Sequence, residues 1–389
     1  MRIHGVVPFL LACFALTSWA AEPERERPDD KRQQILVDSQ ELVAADEMAY
    51  LAFPALVRVG DEEILVSYKR GRSHARDPGA VLEVIRFDTQ TNQVTWRGVV
   101  GADEGLVYQM GEWIEFPSGR IGLYADVQRV VEDGGANRHH RTGTYWARTD
   151  DGGQTFSPME KLGPVDGVEY GYIFDGIIAN GRVYMLAMTF PEMSGRKSFF
   201  DEDGRRVYGE VSVLASDDDG DSWRHVRNLS QEFGGIDINE SSLVALGDGY
   251  LVATRGYDAR VRLHRVDEAF RLVEENDLTA TYSFITGVVG RPRLFWQDGG
   301  LYLLGRNHSV RRGPMELALF RLCPDSLGVT RYVVLDPDEG QRVGDSYYAV
   351  PYFRETQQST VMNVITYRQQ RERRQPDIVR LEFVWDQIR

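Results

Sequence analysis

The chain has 389 residues, of which 42% are hydrophobic, 11% aromatic and 38 glycine, and its formal net charge is −14. That length and apolar content suffice for a large core, and the excess of acid excludes broad electrostatic binding to nucleic acid or to an anionic membrane. A cluster of arginines that binds an anion must therefore be local.

The N-terminus carries Arg2, an apolar run over residues 6–16, and then Ser18-Trp19-Ala20. This order predicts a signal peptide over residues 1–20, cleaved after Ala20, and hence a secreted or periplasmic protein; the run is too short for a membrane span. A lipoprotein signal at Leu10-Leu11-Ala12-Cys13 is the lesser alternative, because the apolar run continues past the cysteine. After cleavage Cys323 is the sole cysteine, so the mature chain has no internal disulfide and relies on its core. Residues 21–33 are charged and contain proline, which reads as a flexible leader, and a single folded unit is expected over residues 34–389.

From there one unit recurs: a short apolar strand, a turn rich in Gly, Asp or Asn, and a second apolar strand. Its copies start at Phe53, Gly111, Phe174, Glu240, Arg291 and Tyr348, between 51 and 66 residues apart. A period of this size with several strands per repeat predicts an all-β fold, a six-bladed β-propeller of four-stranded antiparallel blades. Residues 81–87, 144–148, 210–215, 260–266 and 317–322 supply further strands of the blades. Ring closure calls for a strand from the opposite terminus, either residues 34–43 or residues 378–385. Trp113 and Trp296 fall inside inner strands and are expected in the core.

Two eight-residue segments, Thr149-Asp-Asp-Gly-Gly-Gln-Thr-Phe156 and Ser216-Asp-Asp-Asp-Gly-Asp-Ser-Trp223, share the pattern Ser/Thr-x-Asp-x-Gly-x-Thr/Ser-aromatic. The aspartate accepts local backbone bonds, glycine takes positive φ, and the aromatic ring staples the turn to its blade. Their expected role is structural, with a calcium site at residues 217–221 as the lesser reading.

In a propeller the innermost strand of each blade starts at the face carrying the central funnel, and the second strand returns to it. Strand starts therefore bring Phe53, Gly111, Phe174, Asp175, Glu240, Arg291 and Tyr348 to that face. Strand ends add Lys69, Arg70, Asp126, Arg255, Arg306, Tyr367 and Arg368. Tyr170, Tyr172 and Asp175 either line a binding subsite or pack the tunnel. Arg138-His139-His140 lies in a stretch rich in Gly and Asn that reads as a polar loop, with no third ligand at metal-binding spacing, so no metal site is assigned.

The eight-residue segments resemble the Asp-box of the sialidase superfamily. Glu240-Ser-Ser-Leu-Val-Ala-Leu-Gly-Asp-Gly followed by Arg255 looks like the motif in which a glutamate opens one strand and an arginine of the substrate-binding triad ends the next. Gly344-Asp-Ser-Tyr-Tyr348 lies where those enzymes carry their tyrosine nucleophile. The loop from Gly71 to Gly79 is similar to the one supplying the aspartate acid/base. The resemblance covers roughly residues 50–383 and implies that Tyr348 attacks, Glu240 takes its proton and Asp77 protonates the leaving group. It further implies that arginines, Arg255 and either Arg306 or Arg312, grip a sugar carboxylate, with no cofactor. His74 is either a substrate-binding residue beside Asp77 or a loop histidine bonded to a neighbouring carbonyl.

One position departs from the pattern. Sialidases open the first blade with an arginine two residues before a proline, where this chain has Ala52 before Pro54. Arg70, Arg72 or Arg291 are the candidates to replace that arginine. Three functions follow as expectations: an exported exo-glycosidase acting on terminal sialic acid or a related sugar, a polysaccharide lyase acting on uronate-containing glycans, or a non-catalytic glycan-binding propeller. All three take a glycan as partner, and none uses nucleic acid or a membrane span.

Overall fold

The computed structural model describes residues 35–45, 49–74, 77–133, 136–190, 208–285, 287–308, 315–337, 346–369 and 375–389. The expected signal peptide and leader lie outside them. The described strands form six four-stranded antiparallel sheets, each following chain order from its inner to its outer strand except the last. The expected six-bladed β-propeller is thus the observed architecture. The inner strands are Tyr50–Arg58, Leu106–Glu115, Tyr172–Ala179, Ile238–Leu246, Val288–Gln297 and Val350–Glu355, which we number as blades 1 to 6. No helix among the described residues is long and apolar enough to cross a membrane.

Closure uses the first of the two expected segments. Leu36–Val43 adds as the outermost strand of blade 6 against Pro376–Val384, which is itself that blade's third strand. The buried Arg380 fastens the seam through Asp38, Asn363 and Glu382. Joining the two ends of the chain in one sheet closes the ring without leaving a gap between blades.

Each blade buries both faces against its neighbours, which is why its middle strands read as unbroken apolar runs rather than as alternating ones. The second strand of blade 3, RVYMLAMT, is buried at six consecutive positions. Ala55, Leu65 and Val84 of blade 1 pack with Trp113, Leu123 and Val127 of blade 2. Leu251 and Leu263 of blade 4 meet Leu294, Leu303 and Phe320 of blade 5, and Leu304 and Leu317 of blade 5 meet Met362, Val364 and Leu381 of blade 6. Each such fully buried leucine contributes about 2 kcal/mol of transfer free energy.

The two eight-residue turns link the third and fourth strands of blades 2 and 3 and carry the same bonds. Asp151 Oδ1 accepts from the Gln154 and Thr155 amides, its Oδ2 accepts from the Thr155 hydroxyl at 2.6 Å, and Thr149 Oγ1 accepts from the Gly153 amide. Asp218, Ser222, Ser216 and Gly220 repeat the arrangement. These bonds hold both aspartates below the usual carboxylate range, the Thr155 and Ser222 hydroxyls contributing most. Each turn leans on the preceding blade: a Cβ at Gly153 would stand 2.3 Å from Leu65, and one at Gly220 would stand 2.5 Å from Phe116.

Two sequence expectations are corrected here. Trp296 is 42% exposed, although its Nε1 donates to Ala245 O at 3.0 Å just as the buried Trp113 donates to Ala55 O. Phe156 of the blade 2 turn covers Trp113, and among the described residues no ring contact covers Trp296. The stretch around Arg138 is not a polar loop: strands Ile121–Asp133 and Ala136–Thr149 pair along their whole length, with Val131 opposite Arg138, so the ribbon satisfies its own backbone groups beyond the blade.

Gly153 has φ +80° and Gly152 has φ +68°, but the nearest atom to a Cβ on Gly152 is Val59 O at 3.8 Å. Gly152→Ala is expected to cost about 1–2 kcal/mol from left-handed backbone strain alone. Gly153→Ala adds overpacking against Leu65 and is expected to cost about 3 kcal/mol or more. Urea denaturation of the two variants checks the order.

Candidate active site

Five of the six inner strands shift register near their funnel end, at Ala52/Ala55, Tyr108/Met110, Ile173/Asp175, Ile238/Ser241 and Gly290/Arg293. A bulge at a strand end re-aims the side chains beside it. Phe53 and Arg291, each followed by proline, take φ +59° and +47° there. Blade 6 turns its chain one step earlier, at Tyr347 with φ +68°. Tyr347 consequently reaches Asp336 at 3.0 Å on blade 5, while the next side chain, Tyr348, points the other way to Glu240 on blade 4.

The Glu240 carboxylate is the meeting point. The Tyr348 hydroxyl donates to its Oε1 in a short bond, and Arg255 Nη1 donates to its Oε2 at 2.6 Å. The backbone amide of Arg291 also donates to that Oε2, at 2.9 Å. Arg306 lies with its guanidinium carbon 4.9 Å from the centre of the Tyr348 ring and donates to Ser346 O at 3.0 Å. A Cβ on Gly290 would stand 2.9 Å from Arg306 Nε, so the glycine makes room for that guanidinium. Arg312, the other expected arginine, lies outside the described residues.

Burial pushes the Glu240 carboxyl up, but the Arg255 charge, the Tyr348 hydroxyl, the Arg291 amide and Arg306 together outweigh it and bring it to about 2. Burial, followed by the Glu240 charge, raises the Tyr348 phenol, against the opposing pull of Arg306 and Arg255. The Glu240 charge in turn raises Arg255. At neutral pH the site therefore rests as a carboxylate accepting from a neutral phenol. A phenol so held becomes a nucleophile only if its proton moves to Glu240 as the new bond forms.

Blade 1 presents aromatic surface to the pair. Phe53 packs 5.4 Å from Tyr348, 5.6 Å from Tyr367 and edge-on to His74 at 5.1 Å between ring centroids. His74 Nδ1 is 3.1 Å from the Tyr50 hydroxyl. Ala52 is fully buried, and its cross-strand partner Lys69 sends Nζ to Ser73 O, His74 O and Gln109 Oε1. Asp77 is buried as well: its Oδ2 accepts from the Arg72 and Ser73 amides at 2.5 and 3.3 Å and stands 3.8 Å from Lys69 Nζ. That oxygen thus belongs to its own loop.

The remaining expected residues lie elsewhere. Arg70 pairs with Glu83 at 3.3 Å on the third strand of blade 1. The Arg291 side chain is buried and bonds Glu112 of blade 2, as does Arg293. Arg293 Nη1 also donates to Phe174 O and to Asp175 Oδ1, at 3.2 and 3.3 Å. Asp175 Oδ2 takes the Ser242 hydroxyl and the Leu243 amide of blade 4. Burial raises the Asp175 carboxyl, and Arg293 opposes it. Arg291 and Asp175 are therefore parts of a buried ionic core across the tunnel, joined to Glu112 and Arg293, which sequence reasoning missed. The available signal was charge set among apolar residues of an inner strand, Glu112 in GEWIEF and Arg291 with Arg293 in RPRLFW, which needs a partner once buried. No group of three His, Cys, Asp or Glu side chains among the described residues is placed to hold a metal ion.

No family model matches the chain, and no curated protein matches it in sequence. Solved structures match in shape. A Dyadobacter fermentans protein of unknown function superposes with TM-score 0.67 at 16% identity, over 91% of this chain and 99% of that one. A point mutant of the NanB sialidase of Streptococcus pneumoniae gives TM-score 0.61 at 11% identity, over 90% and 71% of the two chains. A Hadza microbial sialidase gives TM-score 0.58 at 12% identity, over 90% and 69%. The likeness is one of fold: the chain is a propeller of the kind found in sialidases.

The depressed Glu240 carboxyl has a consequence for stability. Its unfolded value is about 4.3, so the stabilisation from ionised Glu240 is complete above that pH and is lost as pH falls toward about 2. The stability gap between the parent and Glu240→Gln should be flat above about pH 5 and shrink below about pH 4. Denaturant unfolding of both proteins across that range measures it.

Proposed function

We propose that this chain is an exported exo-glycosidase of the sialidase type that removes terminal sialic acid, or a related sugar, from glycans with retention of configuration. The observation that carries the reading is the Tyr348 hydroxyl bonded to a Glu240 carboxylate that Arg255 also binds, with Arg306 over the phenol ring. In this reaction Tyr348 Oη attacks the anomeric carbon while its proton passes to Glu240. The bond to the leaving oxygen breaks, and that oxygen takes a proton from the acid, for which Asp77 is the candidate. Water then attacks the anomeric carbon of the glycosyl-tyrosine, giving up its proton to the acid/base, and Tyr348 leaves with the proton held by Glu240. A neutral phenol suits a sugar whose anomeric carbon bears a carboxylate, because a carboxylate nucleophile would be repelled. Arg255 and Arg306 would bind that carboxylate through charge-assisted bonds.

A second reading, a glycan-binding propeller without turnover, draws on blade 1. Asp77 Oδ2 is engaged by two loop amides, and Ala52 stands where sialidases carry an arginine. Both features lower the expected rate without removing the binding groups of blades 4 and 5.

A panel of aryl glycosides that includes the aryl sialoside is the test. Turnover by the parent, with Tyr348→Phe slower by about a thousandfold or more, is the expected result. Equal rates for parent and Tyr348→Phe would overturn the mechanism, and glycan-array binding without any turnover would decide for the second reading.

A further inference from the structure

The Glu240 carboxylate is held from blade 5 by a backbone amide, and what fixes that amide lies on blade 2. Arg291 sits in the left-handed region with φ +47°, a conformation that a side chain with a Cβ adopts only when its surroundings impose it. Its surroundings do so from both sides. Its amide donates to Glu240 Oε2 at 2.9 Å, and its guanidinium is drawn across the tunnel to Glu112 Oε2, near the Tyr172 and Phe174 rings at 5.7 and 5.8 Å. Arg293, on the other side of Pro292, donates to the same Glu112 oxygen and to Asp175. Asp175 in turn holds Ser242 and Leu243, two and three residues beyond Glu240. Ser242 Oγ also accepts the Leu294 amide at 2.9 Å. Glu112 thus anchors both arginines that flank the blade 5 bulge, and the bulge delivers one bond to Glu240 itself and one to its strand.

We propose that Glu112 is a positioning residue for the Tyr348–Glu240 pair, acting through Arg291. By fixing the guanidiniums of Arg291 and Arg293, it locks the blade 5 bulge in the conformation whose amide meets Glu240 Oε2. Glu240 Oε1 is then left aimed at the phenol. Glu112 touches neither Glu240 nor Tyr348 and takes no proton in the reaction. This inference rests on the glycosidase reading for its kinetic consequence, but its geometric content, the aim of Glu240, is independent of any substrate.

The test is Glu112→Gln, with Arg291→Gly as the second variant. Glycine retains the backbone amide and accepts positive φ without strain, so the second variant keeps the bond to Glu240 possible while removing the side-chain anchor to Glu112 and its contacts with the Tyr172 and Phe174 rings. In the parent, the buried phenol bonded to an ionised carboxylate is expected to give a slowly exchanging, downfield hydroxyl proton in the NMR spectrum, identified by its loss in Tyr348→Phe. Both anchor variants should move that signal upfield or lose it to exchange. On the aryl substrate turned over by the parent, both should lower kcat by roughly 10- to 100-fold at nearly unchanged KM, because the reacting pair is misplaced while the substrate-binding groups remain. Should Glu112→Gln fail to fold, Arg291→Gly alone decides. A hydroxyl proton unchanged in position and exchange in a folded anchor variant overturns the proposal, even if the parent proves to be an active glycosidase. A proton shifted in the anchor variants, when the parent itself turns over no substrate, upholds the positioning role and refutes only the glycosidase reading.

Discussion

The structure around the funnel depends on one buried carboxylate. Glu240 belongs to blade 4, yet its two oxygens accept from the phenol of blade 6, the guanidinium of blade 4 and a peptide amide of blade 5. Burying a carboxylate costs several kcal/mol unless its charge is matched and its lone pairs are filled. Here the same donors that offset that cost also fix the direction of Oε1 toward Tyr348. Stability and the geometry of the Tyr348–Glu240 pair are therefore drawn from the same set of bonds, and a change that disturbs one disturbs the other.

A second layer of charge lies beneath the first. Glu112, Arg291, Arg293 and Asp175 come from blades 2, 5, 5 and 3, two acids against two bases, and each acid meets at least one guanidinium. Such a cluster is weak evidence for net stability, since apolar packing of equal volume often serves as well. What apolar packing does not supply is direction. Removing Glu112 takes the ionic partner from Arg291, and removing Arg293 takes it from Asp175, with a penalty of about 3–5 kcal/mol, so the blades are held in one mutual orientation rather than merely pressed together. The overall excess of acid in the chain does not reach this region, where the positive groups are local and each is placed by a strand end.

The fold was legible because its signals are local and repeated. Six hairpins with turn residues at the right places define six blades, and the strand starts and ends mark which residues reach the funnel. That argument brought Tyr348, Glu240, Arg255 and Arg306 to one face, where the structure finds them together. It could not separate residues whose side chains meet the funnel from those that turn away from it. Arg70 and Arg306 both close a second strand, but Arg306 crosses to Tyr348 over Gly290 whereas Arg70 folds back on Glu83. The bulges decide this, and a bulge is a matter of register between two strands, which a single strand's residues do not reveal. The role of Arg291 was hidden for a related reason. Its backbone, not its side chain, reaches the site, and the side chain points to a partner 179 residues away.

Blade 1 departs furthest from its counterparts, and the departure is coherent. Ala52 leaves no cation at the funnel end of the inner strand, and the following residue, Phe53, adopts the left-handed turn that Arg291 adopts on blade 5 before an equivalent proline. In blade 5 the turn exposes an amide to Glu240; in blade 1 it lays a ring against Tyr348, Tyr367 and His74. The nearby cation, Lys69, is not a substitute for an arginine, because three carbonyl oxygens and the Asp77 carboxylate already surround its ammonium. Arg255 is likewise committed in part to Glu240. Under the proposed function, a sugar carboxylate in this funnel would meet fewer fixed donors than three arginines provide, while the sugar ring would meet more aromatic surface. Aromatic contact discriminates the apolar face of a pyranose, and bidentate arginines discriminate a carboxylate. On that reading, the balance of residues in blade 1 would shift selectivity from the charge of the sugar toward its shape.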